Sequence, residues 1–227
     1  MNYPLILLDA DDTLLDFDRS ETCALCDTLV RCGLVPDDAA LARYKAVNKR
    51  WWQAFDRGEV TKPALTVARW AEFLEGSGNA YDPADANAFY MERLGGYSFT
   101  LPGAEALCAA LRTRGYRLAL VTNGTAEVQR RRWGASPAAR YIDAADVFVS
   151  ELLDCQKPER AFFDKVFSAL GDPPREDCLI VGDSETSDMQ GGKNAGIATC
   201  WYNPAGKKAA GNWTYEIQKL EELLDIV

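Results

Sequence analysis

Short apolar runs that each stop at a polar or acidic cluster constrain this chain more than anything else in it. Leu5-Ile6-Leu7-Leu8 runs into Asp9-Ala10-Asp11-Asp12. Leu118-Ala119-Leu120-Val121 runs into Thr122-Asn123-Gly124, Val147-Phe148-Val149 into Ser150-Glu151, and Leu179-Ile180-Val181 into Gly182-Asp183-Ser184. A further run covers 197–202. A strand that is apolar at every position has both faces covered, the condition of a parallel sheet clothed in helices. Helical stretches over 103–114, 125–133, 159–170 and 186–195 lie between the runs, with Gly115, Gly171 and Gly196 where helices should end. This alternation predicts a doubly wound parallel α/β sheet of Rossmann type. Such sheets bind ligands beyond the carboxyl ends of their strands.

The stretch from 17 to 96 breaks the rhythm and reads as helices alone. Asp18 with Glu21 resembles a capping box, and Gly33 closes that helix. A second helix starts at Asp37 or Asp38 and runs to about Asp56. A third starts at Thr61 and Pro63 and ends near Gly76, and a fourth runs from Asp82-Pro83 to Gly95-Gly96. The expected organisation is an α/β core from 1–16 and 97–227, with a helical cap at 17–96 inserted after the first strand. The linkers fall at Leu14–Asp18 and Gly95–Pro102, and the glycines there predict a cap that moves.

Composition narrows the chemistry. Of 227 residues, 48% are hydrophobic and 26% charged, which suits a globular core. No run approaches the roughly 18 apolar residues of a membrane span. The start, MNYPLILLDADD, lacks the basic stretch of a signal peptide. Against 25 Lys and Arg stand 34 Asp and Glu, a net charge of −9, which argues against a nucleic-acid polymer as partner. Histidine is absent, so triads, Cys–His dyads and histidine zinc sites are excluded. Seven cysteines, an odd number without a secretion signal, predict reduced thiols in a cytoplasmic protein; Cys23 and Cys26 read as core or near-core thiols. Arg130-Arg131-Arg132 reads as a solvated helix face.

The strand ends carry the reactive groups. In extended chain, residues i and i+2 point the same way, so Asp9 and Asp11 can face one reaction centre while Ala10 points into the fold. Alone, this could be a solvated acidic turn. Asp183 and Asp188 bring two further acids to the same sheet edge. Gathered carboxylates repel one another unless a cation joins them, and Mg²⁺ takes such oxygen ligands. Thr122-Asn123-Gly124 offers a hydroxyl, an amide and backbone N–H groups at a helix start, a cradle for an anion. Lys157-Pro158 follows the next strand and supplies a positive charge. Thr122 alone would pass as a helix cap and Lys157 as a surface lysine; together the four strand ends form a constellation.

In that order the residues resemble the four motifs of the haloacid dehalogenase-like (HAD) superfamily of aspartyl phosphohydrolases. Asp9-Ala10-Asp11-Asp12-Thr13 is similar to DxDxT, Thr122 to the hydroxyl motif, Lys157-Pro158 to the lysine motif, and Gly182-Asp183-Ser184 with Asp188 to the GD…D motif. The resemblance implies that Asp9 is a nucleophile forming an aspartyl-phosphate and that Asp11 is the general acid, then the base. It also implies Mg²⁺ held by Asp9, the Asp11 carbonyl and Asp183 with support from Asp188. Thr122, Asn123 and Gly124 would receive phosphoryl oxygens, and Lys157 would steady Asp9 and the transferring group. Asp11 favours phosphate esters over haloacids, because dehalogenases of the superfamily lack the second aspartate. The stretch Ala46 to Trp52, Asp16-Phe17 and the stretch Gly196 to Trp201 resemble HAD 5′-nucleotidases of pyrimidine nucleoside monophosphates. Trp51 and Trp52 could stack on a base or pack inside the cap. Other readings are a phosphatase of phosphoglycolate or a sugar phosphate, a phosphomutase, a haloacid dehalogenase, and a phospho-acceptor switch like a response-regulator receiver. The expected partner is a small phosphate ester, with no membrane, and the chain a monomer or homodimer.

Overall fold

Each apolar run forms a strand in the computed structural model, which describes residues 2–227. The strands are β1 (Leu5–Leu8), β2 (Arg117–Thr122), β3 (Val147–Val149), β4 (Cys178–Gly182), β5 (Ala198–Tyr202) and β6 (Tyr215–Ile217). The helices are α1 (Phe17–Arg31), α2 (Asp38–Asp56), α3 (Lys62–Glu75), α4 (Pro83–Gly96), α5 (Ala104–Thr113), α6 (Ala126–Ala135), α7 (Arg160–Ala169) and α8 (Gln190–Ala195). The chain divides into two compact units, residues up to Phe17 with Ser98–Val227, and Asp18–Tyr97. No described helix is long and apolar enough to cross a membrane.

The first unit is a parallel sheet in the order β3-β2-β1-β4-β5-β6. Period-two alternation sends successive side chains to opposite faces. Ile6, Leu8, Leu118, Leu120, Leu179 and Val181 therefore pack on one face with α5. Leu5, Leu7, Ala119, Val121, Cys178 and Ile180 pack on the other against Phe162, Phe163, Val166 and Phe167 of α7. From β1 the chain builds outward through β2 and β3, then returns to the other side of β1 with β4. That reversal opens a crevice at the strand ends. Register brings those ends level, because Leu8 pairs with Leu120 on one side and Val181 on the other. The strands therefore bring Asp9, Thr122 and Asp183 to the same end of the sheet.

Two features of this unit differ from expectation. β6 has the sequence Tyr-Glu-Ile, too short and too polar to read as a buried strand, and it pairs with β5 at the sheet margin. The helix expected over 186–195 begins only at Gln190, after a wide turn at Glu185–Met189. There both Asp188 and Met189 donate backbone N–H groups to the Ser184 carbonyl, at 3.0 and 3.1 Å. The Ser184 side chain accepts from Ser187 N. A local hydroxyl competes with the helical ladder and widens this turn.

The second unit contains α1 beyond Phe17, with α2, α3 and α4. Asp37, Thr61 and Asp82 cap the last three helices by accepting from Ala40 N, from Ala64 N, and from Ala84 N and Asp85 N. The capping box at Asp18 is not where α1 begins. Asp18 lies inside the helix, which opens at Phe17 with its N–H on Asp12 Oδ1. Glu21 is buried and accepts from Asn48 Nδ2 at 2.6 Å. Gly95 and Gly96, expected in a linker, form the last turn of α4, with Gly95 buried. The interior stacks Tyr44, Trp70, Phe73 and Tyr90, with Tyr44 and Trp70 centroids 4.5 Å apart. A polar string crosses it, in which Arg69 donates to Asn48 Oδ1 and to Asn87 Oδ1. Trp51 and Trp52 are half-buried, Trp51 donating to Glu72 and Trp52 meeting Phe55 edge-on.

Candidate active site

Asp9 follows β1 directly and donates its N–H to Val181 O at 2.9 Å, which extends the pairing with β4 by one step. Its carboxylate is buried. Lys157 Nζ donates to Asp9 Oδ1 at 2.5 Å, and Thr13 Oγ1 approaches Oδ2 at 3.4 Å. Lys157 is only 1% exposed and also donates to Asp188 Oδ1 at 2.6 Å and to Val121 O at 2.9 Å. Asp188 Oδ2 accepts from Ser184 N at 3.1 Å. Gly182 allows this, since a Cβ there would lie 2.3 Å from Asp188 Oδ2. Trp201 Nε1 holds the Asp183 carbonyl at 2.8 Å. Oxygens of Asp9, Asp183 and Asp188 all lie within 4.8 Å of one another.

Burial, then the Asp188 charge, push the Asp9 carboxyl up to about 8, although Lys157 pulls the other way. Asp183 is raised well above the usual carboxylate range by burial and by Asp9 and Asp188. Burial alone would lower the Lys157 ammonium, but the Asp188 and Asp9 carboxylates outweigh it and raise it above its ordinary value. One lysine thus faces three converging carboxylates, two of them buried, an excess of negative charge with little solvent to screen it. The donors are hard oxygens with neither nitrogen nor sulfur among them, a set that fits a divalent cation such as Mg²⁺.

Thr122 ends β2 with its hydroxyl accepting from Gly124 N at 3.1 Å. The Asn123 amide clasps the Lys157 backbone, donating to its carbonyl at 2.8 Å and accepting from its N–H at 2.9 Å. The β2 end is thereby tied to the lysine. Ala10 is fully buried in the core, whereas Asp11 is half-buried. The Asp11 carboxylate stands apart from the three-acid cluster, accepting from Gln129 Nε2 at 2.5 Å and from Arg132 Nη1.

The latter contact corrects the expectation that the 130–132 arginines are a solvated face. Arg130 does lie in solvent and pairs with Glu127. Arg132 is 0% exposed. Helical periodicity separates them, because Val128, Gln129, Arg132 and Trp133 share the buried face of α6. Gln129 does not stand out in the sequence, and Arg132 reads there only as part of a solvated face. The available signal was their place on the same stripe as Val128 and Trp133, just after a strand end.

Residues 3–196 match the family described as haloacid dehalogenase-like hydrolase. The pyrimidine 5′-nucleotidase PynA of Streptococcus pneumoniae is 35% identical over 227 residues, covering 99% of this chain and 95% of that protein. The pyrimidine 5′-nucleotidase YjjG of Escherichia coli is 31% identical, covering 99% of each chain. Among solved structures, the HAD-hydrolase YfnB of Bacillus subtilis, bound to magnesium, superposes with a TM-score of 0.94 at 35% identity, covering 100% of this chain and 99% of that one. On fold, on the order of its strand-end residues and on these likenesses, the chain belongs to the haloacid dehalogenase-like hydrolases.

Proposed function

We propose that this hydrolase is a Mg²⁺-dependent phosphomonoesterase, working through an aspartyl-phosphate on Asp9, and that its substrates are pyrimidine nucleoside 5′-monophosphates. The observation that carries the reaction type is the convergence of Asp9, Asp183 and Asp188 within 4.8 Å, with Lys157 on Asp9 and a second acid, Asp11, two residues further on and held by Gln129 and Arg132. Support for the substrate is the nearly full-length likeness to PynA and YjjG.

Asp9, Asp183 and Asp188, with the Asp11 carbonyl, would hold the cation. Bound there, it would offset the repulsion between a carboxylate and a phosphate dianion. The remaining work falls to side chains. An Asp9 oxygen attacks phosphorus, the bond to the leaving oxygen breaks, and a proton carried by Asp11 makes the leaving group a neutral alcohol. Water then attacks the aspartyl-phosphate, its proton passes to the Asp11 carboxylate, and the bond from phosphorus to Asp9 breaks to release phosphate. Lys157 stays charged throughout and holds Asp9 in line. Thr122 and the backbone of 123–124 cradle phosphoryl oxygens, while the Asn123 side chain secures Lys157. Phosphoryl transfer depends on positioning and charge rather than on a strong base, so the absence of histidine is no handicap. The unpaired thiols suit the cytoplasm.

The test is phosphate release from a panel comprising dUMP, dTMP, UMP, purine monophosphates, phosphoglycolate, sugar phosphates and p-nitrophenyl phosphate. Magnesium-dependent turnover should be fastest on the pyrimidine nucleotides and vanish in Asp9→Asn while that variant stays folded. Faster turnover of another ester would displace the nucleotidase reading, and no turnover of any would refute the phosphatase.

A further inference from the structure

Asp11 is held from α6, by residues outside the cluster that holds Asp9. Arg132, without solvent exposure, donates to Asp11 Oδ1, and the Phe17 ring lies 5.4 Å from its guanidinium. Burying a guanidinium is costly unless it meets a charged partner with good geometry. Gln129 is 2% exposed, and its Nε2 lies 2.5 Å from Asp11 Oδ2 and 3.2 Å from Thr122 Oγ1. One amide therefore spans the second acid and the strand-end hydroxyl. Space is kept for it, because a Cβ at Gly124 would lie 2.2 Å from Gln129 Nε2. Gln129 Oε1 is buried and has no hydrogen-bond partner among the described residues. A packing role alone would be served by an apolar side chain without that orphaned acceptor.

We propose that Gln129 and Arg132 are positioning residues for Asp11: Arg132 fixes one carboxylate oxygen, and Gln129 fixes the other while setting its distance from Thr122. Two donors use two of the roughly four acceptor sites of a carboxylate and leave the others to carry or take the transferred proton. Displacing a reacting group by about 1 Å can cost 10²-fold in rate. The proposal rests on the phosphomonoesterase reading and adds to it two residues that act through Asp11.

The experiment compares kcat/KM on two esters in wild type, Gln129→Leu, Arg132→Lys and Asp11→Asn. One is an alkyl ester such as dUMP, whose leaving oxygen needs a proton. The other is p-nitrophenyl phosphate, whose leaving group departs without one. Because kcat/KM reports only the steps through the departure of the leaving group, the later water step does not enter. Gln129→Leu, nearly isosteric, should lose about 10- to 100-fold on the alkyl ester and under about 3-fold on p-nitrophenyl phosphate. Arg132→Lys should shift in the same sense, with its charge retained. Either change added to Asp11→Asn should cost nothing more, as expected of groups acting through one another. A crystal structure of Gln129→Leu should show the Asp11 carboxylate moved from its place beside Thr122.

Equal losses on both esters, additive losses in the Asp11→Asn background, or an unmoved Asp11 would overturn the positioning role while leaving the phosphatase intact. Wild-type protein inert toward every ester of the panel would overturn the phosphatase reading and this inference with it.

Discussion

Replacing Lys157 by Met removes the ammonium that donates to Asp9 and Asp188 beside the three-acid cluster, and leaves an apolar side chain of similar length. Two unit charges 4.8 Å apart, the outer limit of the cluster, repel by about 3.5 kcal/mol at an effective dielectric of about 20. Asp9 and Asp188 each lose a hydrogen bond of 2.5 to 2.6 Å from the lysine. Breaking a buried pair by removing one partner typically costs about 3–5 kcal/mol. The cost does not rise to the full sum of repulsions, because the carboxylates can bind protons instead. For a chain of this size, about 2–4 °C of Tm accompanies each kcal/mol, so Lys157→Met should melt about 6–20 °C below wild type with the metal chelated. Raised carboxylates withdraw stability as pH rises, so the deficit should be greater at pH 8 than at pH 5. A divalent cation supplies the missing charge, and Mg²⁺ should therefore raise the Tm of the variant more than that of wild type. Calorimetric scans in EDTA and in Mg²⁺ at the two pH values decide the matter. A deficit below about 1 kcal/mol at pH 8, or equal stabilisation of both proteins by Mg²⁺, would refute the electrostatic account of the site.

Because the Asp9 carboxyl is pushed up to about 8, it favours the protonated form below that pH, and burial with the neighbouring carboxylates raises Asp183 in the same direction. Binding of Mg²⁺ near pH 7 should release protons, and affinity should climb as pH rises toward about 8; titration calorimetry in buffers of different ionisation enthalpy would show a buffer-dependent heat, and its absence would count against the shift. In the helical unit, burial pushes Glu21 up to about 7 from 4.5, a cost to folding that is absent below about pH 4.5 and complete above about pH 7. Glu21→Gln, which keeps the acceptor for Asn48, should be more stable than wild type by about 2–3 kcal/mol at pH 8 and by almost nothing at pH 4. A difference in Tm that did not vary with pH would contradict this. At Gly192 a Cβ would meet Thr199 Cγ2 at 2.6 Å and Ile180 Cγ2 at 2.7 Å, so Gly192→Ala should lose about 1–3 kcal/mol by overpacking; denaturant unfolding with an unchanged midpoint would show that the interface gives way.

The parallel sheet was legible because its signal is local: a run apolar at every position can be covered only from both sides, and such runs recur between helices. The helices of the insert could be read with similar ease, since Asp37, Thr61 and Asp82 announce their starts through contacts with residues two or three positions away. β6 escaped notice because three residues at a sheet margin carry no periodic pattern, and each pairs with a residue 15 positions upstream. Candidate site residues at strand ends were visible as misfits, acids and a hydroxyl closing apolar runs.

Which of those groups meet is a different matter, because distance in space depends on register and crossover order. Leu8 opposite Val181 brings Asp9 toward the end of β4, and residues 148 positions apart become a 2.5 Å ion pair. Arg132 shows the limit most plainly. Beside Arg130 and Arg131 it looks like one more solvated charge, and only the docking of α6 on the sheet turns it inward to Asp11. Composition and periodicity specify what each stretch can become; the partner of a buried charge is chosen by the packing of elements far apart in the chain.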